Sequence, residues 1–382
     1  MKIIAQVKLL PVSAYDADAM AATLRACNRG ARAASEIAFR TGKVRRNELQ
    51  DEVYYRLKEE FDLGAQAAVR TVKKVCDAYA TVAGLEKSGH LAGLALGKAK
   101  SRPIGFRDDA AQPFDDRMLT WNLDRRTVSI WTVAGRLKGI PFVCSPEAMK
   151  LLAMRKGESD LVLRDGEFYL VATIDLPEPP VAEPAGWIGV DLGIVNIATT
   201  SDGTILSSRR LERYRKRMRH NVAKLQAKHT KSAKRRLKAL RRREGRFATD
   251  TNHVIAKTIV TTAERTSRGI ALEDLKGIRQ RVTVKKDQRY RLHSWAFARL
   301  GDFVEYKARR AGVAVVHVDP RNTSRQCSQC WHTHRSNRVS QSWFACRSCG
   351  SVMHADLNGS RNIAHRADAV WQRGKVNCPS TA

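Results

Sequence analysis

The chain has 382 residues, 43% of them hydrophobic, and a formal net charge of +31 from 69 Lys and Arg against 38 Asp and Glu. This length predicts two or three folded units. The charge exceeds what solubility requires and predicts a polyanionic partner, with nucleic acid as the first candidate. No run approaches the roughly 18 apolar residues of a membrane span. We therefore expect no signal peptide, no membrane partner and a cytoplasmic location.

The first half of the chain alternates between strand and helix signals. Residues 2–10 read as a strand, 14–98 as helices and 103–178 as mostly strands. The clearest helix is amphipathic, at 65–79, with basic residues on its outer side. Hairpin signals occur at Gly157-Glu158 and Asp165-Gly166. We expect the opening strand to join the later sheet, so that the helices form an insertion.

A second unit is expected after the proline-rich linker 176–186. Its first segment, 186–206, reads as strands with a turn at Ser201-Asp202-Gly203. Residues 209–246 follow with 18 Lys or Arg and two Glu. Such runs are often only solvated faces, but an apolar stripe here favours a helical hairpin, turning near 229–232, that contacts phosphates.

The rest of the second unit alternates helix and strand. We predict a helix at 251–269, a strand at 270–275, a helix at 292–311 and a strand at 313–319. The resulting order is three strands, then helix, strand, helix and strand. A cysteine cluster and a final helix complete the chain.

The cysteines divide into two groups. Four follow the pattern Cys327-x2-Cys330-x15-Cys346-x2-Cys349, in which two knuckles can surround one tetrahedral, structural Zn²⁺. His332 and His334 lie beside the first knuckle, and we expect them to be surface residues. The scattered thiols indicate a reducing compartment and are expected to be inert; they are Cys27, Cys76, Cys144 and Cys378.

Three carboxylates form a second candidate metal site. Asp191 interrupts a buried strand, where an unpaired carboxylate is costly, so a salt bridge, a polar network or a metal must compensate it. Glu273 shares a strand face with Ala271, and Asp356 begins the last helix. Three hard oxygen donors suit Mg²⁺ or Mn²⁺ and the two-metal hydrolysis of a phosphodiester.

Each carboxylate also has an ordinary interpretation. Asp356 can be a helix N-cap, and Glu273 a salt-bridge partner. Asp274 and Asp319 are neighbouring alternatives. We expect Asp274 to face away from Glu273, and Asp319 ends a strand before Pro320.

Five motifs in order resemble the TnpB family, compact RNA-guided nucleases of insertion sequences related to type V CRISPR effectors. The motifs are GVDLGIVNIAT (189–199), LEDLKGIR (272–279), VDPRNTSRQCSQC (318–330), CRSCG (346–350) and ADLNGSRNIA (355–364). The first half matches more loosely, mainly through 66–79. The resemblance implies a multidomain α/β protein whose RNase H-like (RuvC) nuclease domain carries an inserted zinc ribbon. It also implies a preceding wedge β-barrel with a helical recognition insertion.

The domain limits implied by this resemblance are a wedge-like β domain (1–13 and 99–180), a helical recognition lobe (14–98), a RuvC-like domain (181–320 and 351–374), a zinc ribbon (321–350) and a C-terminal tail (375–382). The resemblance implies that Asp191, Glu273 and Asp356 are the catalytic acids. It further implies a guide RNA and a target double-stranded DNA as partners.

Two departures from the family pattern stand out. Trp331 replaces the usual glycine after the second cysteine, which predicts a less regular knuckle. Gly359-Ser360 replaces the usual alanines, which lowers helix propensity but keeps small residues for close packing. Two alternatives to a guided endonuclease are a nuclease-dead RNA-guided binder or repressor and a miniature type V CRISPR effector. Retention of all three acids argues against the nuclease-dead alternative.

Overall fold

The computed structural model describes residues 1–193, 195–275 and 297–376. The chain divides into two compact units, Met1–Pro177 and Glu178–Ala382, with the boundary inside the proline-rich stretch 176–186. Four predicted features fall wholly or partly outside the described residues: Cys378, the end of the LEDLKGIR motif, the start of the helix at 292 and the tail 375–382. No helix among the described residues has an apolar stretch long enough to cross a membrane.

The first unit contains one antiparallel sheet. Its strands are β1 (Lys2–Leu9), β2 (Gln112–Phe114), β3 (Leu119–Asn122), β4 (Thr127–Thr132), β5 (Gly135–Val143), β6 (Ser159–Arg164) and β7 (Glu167–Asp175). The strand order is β2-β6-β7-β1-β5-β4-β3. Strand β1 pairs with β7 from Lys2 opposite Asp175 to Lys8 opposite Tyr169. The opening strand therefore joins the later sheet, as predicted.

Four helices separate β1 from β2, and a fifth precedes β6. They are α1 (Ala14–Thr41), α2 (Arg46–Phe61), α3 (Ala65–Lys87), α4 (Gly93–Lys100) and α5 (Pro146–Leu152). The hairpin at Asp165-Gly166 is confirmed. The predicted hairpin at Gly157-Glu158 is wrong, because helix α5, and not a strand, precedes β6. The Ser145 hydroxyl accepts a hydrogen bond from the Ala148 N–H, and Pro146 occupies the first turn.

The second unit contains a mixed five-stranded sheet, several helices and a small hairpin. The elements are β8 (Trp187–Asp191), β9 (Asn196–Thr200), β10 (Ile205–Ser207), α6 (Arg209–Ala227), α7 (Lys231–Arg265), β11 (Gly269–Glu273), α8 (Phe297–Ala311), β12 (Val315–Val318), β13 (Trp343–Ala345), β14 (Val352–His354) and α9 (Ala355–Val376). The sheet order is β10-β9-β8-β11-β12. Strands β8, β11 and β12 are parallel, whereas β9 and β10 form antiparallel pairs.

Helices α6 and α7 form the predicted basic hairpin. The Thr230 hydroxyl caps α7 by accepting from the Ala233 N–H. The buried Arg215 side chain donates to Glu244 across the pair at 3.1 Å. The prediction of a separate helix beginning at residue 251 is wrong, because α7 continues through this position. No proline or glycine interrupts the chain between Gly245 and the end of α7.

The two faces of the sheet pack against different helices. On one face, Ile188, Val190, Ile270 and Leu272 share a core with residues of α7 and α8. On the opposite face, Ala271 packs with Ile363 and Ala367 of α9. The expected alternation along β11 is therefore confirmed, and the face that carries Glu273 is the face against α9.

Strand β8 and helix α9 are in contact through their backbones. A Cβ atom added at Gly189 would lie 1.9 Å from the Ser360 carbonyl oxygen and 2.5 Å from the Ala364 nitrogen. Both atoms belong to helix backbone and cannot rotate away. Only glycine fits this position.

We predict that Gly189→Ala lowers the free energy of unfolding of the second unit by about 3 kcal/mol, because helix and strand must separate to admit the methyl group. Guanidinium unfolding followed by circular dichroism measures this. The control is Gly245→Ala in α7, where no described neighbour lies within 4 Å of the added atom. We expect it to stabilise by about 0.5–1 kcal/mol. Equal effects from the two variants would contradict the packing argument.

Candidate metal centres

Asp191 and Glu273 lie at the ends of neighbouring parallel strands. The register pairs Leu272 with Val190, so the next residues, Glu273 and Asp191, are at the same edge of the sheet. The carboxyl ends of parallel strands form the edge at which open α/β sheets bind ligands. The fold therefore presents two carboxylates together on rigid elements.

Asp356 approaches the same edge from the first turn of α9. Gly359, one turn later, is so close that an added Cβ would lie 3.0 Å from Asp191 Oδ2. The Asn196 amide donates to Asp356 Oδ2 at 2.9 Å. Arg338 Nη2 lies 3.7 Å from Asp356 Oδ1. The structure thus brings the three predicted acids to one place.

The electrostatics of this cluster favour a cation. Burial, followed by the charges of Glu273 and Asp356, raises the pKa of Asp191 to about 8, while Arg338 acts in the opposite direction. Burial also raises the pKa of Glu273, against opposing effects of Thr323 and Arg366. The nearby arginine charge therefore does not offset the repulsion. A divalent ion would do so, and carboxylate oxygens are suitable ligands for Mg²⁺ or Mn²⁺.

A buried hydroxyl beside Asp191 has no hydrogen-bond partner in the described part of the chain. Thr199 is directly opposite Asp191 in the β8–β9 pair, so both side chains are on one face. Its Oγ1 is buried and has no hydrogen-bond partner among the described residues. A buried polar atom of this kind is normally satisfied by water or a ligand. The donor set and this hydroxyl together fit a hydrated metal site.

Sequence reasoning missed the residues that hold the acids in place. The Thr323 hydroxyl donates to Glu273 Oε1 at 2.5 Å. Asn196 and Arg338 contact Asp356, as described above. Asn196 begins β9, whereas Thr323 and Arg338 lie outside the strands, before and within the cysteine cluster. Asn196 and Thr323 lay in motifs singled out from the sequence, but no pattern assigned either of them a contact.

The neighbouring carboxylates Asp274 and Asp319 are held differently. Asp319 is exposed, and its Oδ1 accepts from the Arg321 N–H at 2.9 Å. The backbone N–H of Asp274 donates to the Val318 carbonyl, next to the end of β11. Neither is among the groups that shift the pKa of Asp191 or Glu273. The roles of these carboxylates stay predictions.

The four clustered cysteines form a compact thiol site. Within the described ranges they are the one group of three or more metal-ligating side chains whose ligand atoms all lie within 4.8 Å of one another. The Cys330–Cys346 and Cys327–Cys349 sulfur pairs are 3.5 and 3.7 Å apart. Tetrahedral Zn–S bonds of about 2.3 Å require sulfurs about 3.8 Å apart. The thiols therefore fit one zinc ion.

The three carboxylates are more widely spaced than the thiols, since they do not meet the same 4.8 Å condition. Ligands of a site with two ions about 3.5–4 Å apart need not lie around a single ion. This spacing is compatible with the two-ion site predicted from the sequence, which stays a prediction.

The two thiols of the second knuckle differ in acidity. The Ser351 N–H lowers the pKa of Cys349, but contacts with the other cysteines outweigh it and raise the pKa to about 12, whereas the pKa of Cys346 is lowered. Burial raises the pKa of Cys346, but the N–H groups of Cys349 and Ser348 outweigh this and lower the pKa to about 6. The thiolate is the form that binds metal. His332 and His334 are exposed, as expected.

The expected irregularity at Trp331 is wrong. Trp331 has φ +63°, close to the +69° of Gly350 in the second knuckle. Its N–H donates to the Cys327 carbonyl as the Gly350 N–H donates to that of Cys346. The two knuckles have matching turns, and Trp331 takes up a backbone conformation that normally favours glycine.

Two buried asparagines attach the thiol cluster to α9. The Ser328 N–H donates to Asn358 Oδ1 at 2.9 Å, and the Asn358 amide donates to the Gln326 carbonyl at 2.7 Å. The Asn362 amide donates to the Thr323 carbonyl at 2.8 Å. Because α9 also carries Asp356, the thiol site and the carboxylate site share one support.

Two family models match parts of this chain. A model described as "Probable transposase" (OrfB_IS605) matches residues 169–277, which include Asp191 and Glu273. A model described as "Cas12f1-like, TNB domain" matches residues 297–363, which include the four clustered cysteines and Asp356.

Relatives of known sequence match about half of the chain. A TnpB-like protein, MJ0751, from Methanocaldococcus jannaschii is 30% identical over 52% of this chain and 76% of its own length. The CRISPR-associated endodeoxyribonuclease Cas12f1 of Sulfoacidibacillus thermotolerans is 31% identical over 53% of this chain and 50% of its own length. The protein named "Putative RNA-guided DNA endonuclease InsQ" from Escherichia coli is 26% identical over 55% of this chain and 56% of its own length. The match thus spans only about half the length of the last two relatives.

Among solved structures, the mini-RNA-guided endonuclease CRISPR-Cas_phi3 is similar in fold. The TM-score is 0.50 at 10% identity, and the match covers 96% of this chain and 92% of that chain.

One prediction from this site concerns the charge of Asp191. The folded pKa of about 8 exceeds the ordinary value of 3.8. The folded state therefore holds a proton that the unfolded state has lost, and stability falls by roughly 1.4 kcal/mol per pH unit between pH 4 and 8. Without added Mg²⁺, Asp191→Asn should be more stable than wild type at pH 8 and similar to it at pH 4.

The same variant tests metal binding. Mg²⁺ or Mn²⁺ should raise the melting temperature of zinc-loaded wild type at pH 8, because binding favours the folded state. It should have little effect on Asp191→Asn, which lacks the charge. Differential scanning fluorimetry measures both arms, and equal stabilisation of the two proteins would contradict a site that includes Asp191.

A further prediction concerns the thiol site. Cys346→Ser should lose zinc, because three thiolates leave the site open. Hydrogen exchange should then quicken in the first turn of α9, through the loss of support at Asn358. Metal analysis and exchange mass spectrometry measure this, with Cys144→Ser in the first unit as the control. One zinc per chain in Cys346→Ser would refute the assignment.

Proposed function

Because the chain belongs to the family of TnpB-like proteins, we propose that it is an RNA-guided DNA endonuclease whose catalytic acids are Asp191, Glu273 and Asp356. The observation that carries this proposal is the convergence of three partly buried acids, from two strand ends and a helix start, in a chain of net charge +31. An acidic site binds metal cations, and a basic surface binds nucleic acid.

We further propose that the second unit has a RuvC-like, RNase H-type fold. Support comes from its sheet, in which an antiparallel hairpin precedes two further strands parallel to β8. Asp191 and Glu273 end β8 and β11, and Asp356 lies in the first turn of the last helix, in the order that the family resemblance implies. In the first unit, the sheet and the inserted helices α1–α4 correspond to the proposed wedge domain and recognition lobe.

The protein side chains would hold the acids ready for the reaction. Thr323 donates to one oxygen of Glu273, and Asn196 donates to one oxygen of Asp356, so the second oxygen of each carboxylate would be left for a metal. Both donors are neutral and leave the carboxylate charges available. Mg²⁺ bound by the three acids would lower the pKa of the attacking water and stabilise the leaving oxygen.

The thiol site is proposed to hold zinc in a structural role. Four protein ligands leave no coordination position for a substrate. Its contribution would be to hold α9, and with it Asp356, in place through Asn358 and Asn362.

The basic hairpin α6–α7 is the proposed surface for nucleic-acid backbones. An open groove of about 600 Å³ lies along α7, and Arg242, Arg246 and Arg299 are among its lining residues. Guanidinium groups suit phosphate oxygens, which gives affinity without sequence preference. Sequence specificity would come from base pairing between the guide RNA and one strand of a target DNA duplex, next to a short flanking motif that the protein reads.

A miniature CRISPR effector is the second candidate, because one matching family model is Cas12f1-like and one relative is a Cas12f1. The chemistry would be the same, and only the origin of the guide would differ. Sequencing RNA that copurifies with the chain distinguishes the two: repeats point to a CRISPR array, and a transposon end points to an insertion sequence.

A prediction about cleavage separates the reaction from nucleic-acid binding. Asp191→Asn and Glu273→Gln should lower cleavage at least about a hundredfold, since loss of even an outer partner of a metal ligand costs about 10- to 100-fold. RNA and DNA binding should remain, because the basic surfaces are unchanged. The assay is Mg²⁺-dependent cleavage of a guide-matched duplex bearing the flanking motif, with a binding measurement on the same preparations.

Asp274→Asn is the matched control, as an adjacent carboxylate of the same strand end, and it should remain near wild type. Full cleavage by folded Asp191→Asn would refute the metal assignment. Absence of cleavage by wild type with its native RNA would favour a nuclease-dead RNA-guided binding protein.

A further inference from the structure

The hairpin β13–β14 turns an aromatic side chain outward. Phe344 is fully buried and pairs with Met353 on the inner face. Trp343 and Val352, on the alternate positions, are 51% and 52% exposed. Val339 is also exposed, and its N–H donates to the Trp343 carbonyl. Tryptophan is usually buried to a large extent, so an exposed indole within an apolar patch needs an explanation.

This patch adjoins the proposed catalytic site. Trp343 is directly opposite His354, and such cross-strand neighbours have Cβ atoms about 4.5–5.5 Å apart on one face. The His354 Nδ1 atom accepts from the Asp356 N–H at 3.2 Å. The indole is therefore next to a side chain that contacts the residue carrying a proposed catalytic acid.

The charge around the patch suits a polyanion. Residues 321–354 contain five arginines and no Asp or Glu. Arg338 lies near Asp356, and Arg347 is the second residue after the end of β13. A substrate held there would find positive charge for its phosphates and an apolar surface for its bases.

We propose that Trp343 is a positioning residue that stacks on an unpaired base of single-stranded DNA and thereby holds the neighbouring phosphate at the carboxylates. Guide pairing occupies one DNA strand and leaves the other unpaired, so that its base faces become available. Duplex DNA offers no such face, whereas a single strand stacks readily on aromatic side chains. The inference rests on the proposed function for the place of the acids.

A crosslinking experiment tests the contact without requiring a guide or cleavage. The free full-length chain carrying Asp191→Asn is irradiated with iododeoxyuridine-substituted oligothymidylate, and the crosslinked peptide is identified by mass spectrometry. The expected result is a crosslink at Trp343. Crosslinks confined to other residues would overturn the proposal, and this outcome is independent of whether the wild-type protein cuts.

Trp331→Ala is the matched control. Trp331 is 49% exposed in the same cysteine cluster, but its ring packs on His365. His365 is nine residues after Asp356, on the opposite side of α9. The Trp331→Ala variant should keep the crosslink at Trp343, provided that both preparations hold equal zinc.

Kinetics then separate stacking from a structural role. Trp343→Ala should raise the KM for single-strand cleavage about 5- to 100-fold with kcat little changed, and Trp343→Phe should recover most of the loss because it keeps an aromatic face. An abasic substitution at the stacked nucleotide should remove the difference between wild type and Trp343→Ala. Equal losses on normal and abasic substrates, or no rescue by Phe, would show that Trp343 only supports the hairpin.

Discussion

The direct contact between the backbones of β8 and α9 is the constraint on which the carboxylate site depends. At Gly189 no side chain separates the strand from the helix, and at Gly359 the helix lies against the Asp191 carboxylate. A glycine inside a helix costs about 0.5–1 kcal/mol relative to alanine. That cost is set against the close approach that lets Asp356 reach the acids on the strands.

Two of the three acids, Glu273 and Asp356, accept hydrogen bonds from neutral donors rather than from close cations. A close ion pair would satisfy a carboxylate but would also remove its attraction for a metal. Thr323 and Asn196 orient the acids without this loss. Arg338, at 3.7 Å, lies beyond ordinary hydrogen-bond distance from Asp356. A strongly basic chain thereby keeps a local acidic region. Its surface attracts anions, and its candidate site attracts cations.

The parts of the site that follow a simple periodicity could be predicted from the sequence. Strand alternation placed Glu273 on the face opposite Leu272, and cysteine spacing alone indicated the thiol cluster. The positions of Thr323 and Arg338 depend on how loops return to the sheet, and local pattern carries no information about that. Thr251 and Asn252 looked like the start of a helix, yet they continue α7, where Asn252 is buried. Trp331 adopts a conformation that residue preference assigns to glycine.

Helix α7 has a mechanical consequence. Its 35 residues correspond to about 53 Å, a length comparable with about 15 base pairs of B-form DNA. Apart from Ala233, its buried residues lie between Asn252 and Ala263, in the core shared with the sheet. The basic first half packs on α6 and extends beyond that anchored end. A force on the far end of the helix is therefore transmitted as bending to the residues of α7 that pack against the sheet carrying Asp191, because the helix is continuous between the two.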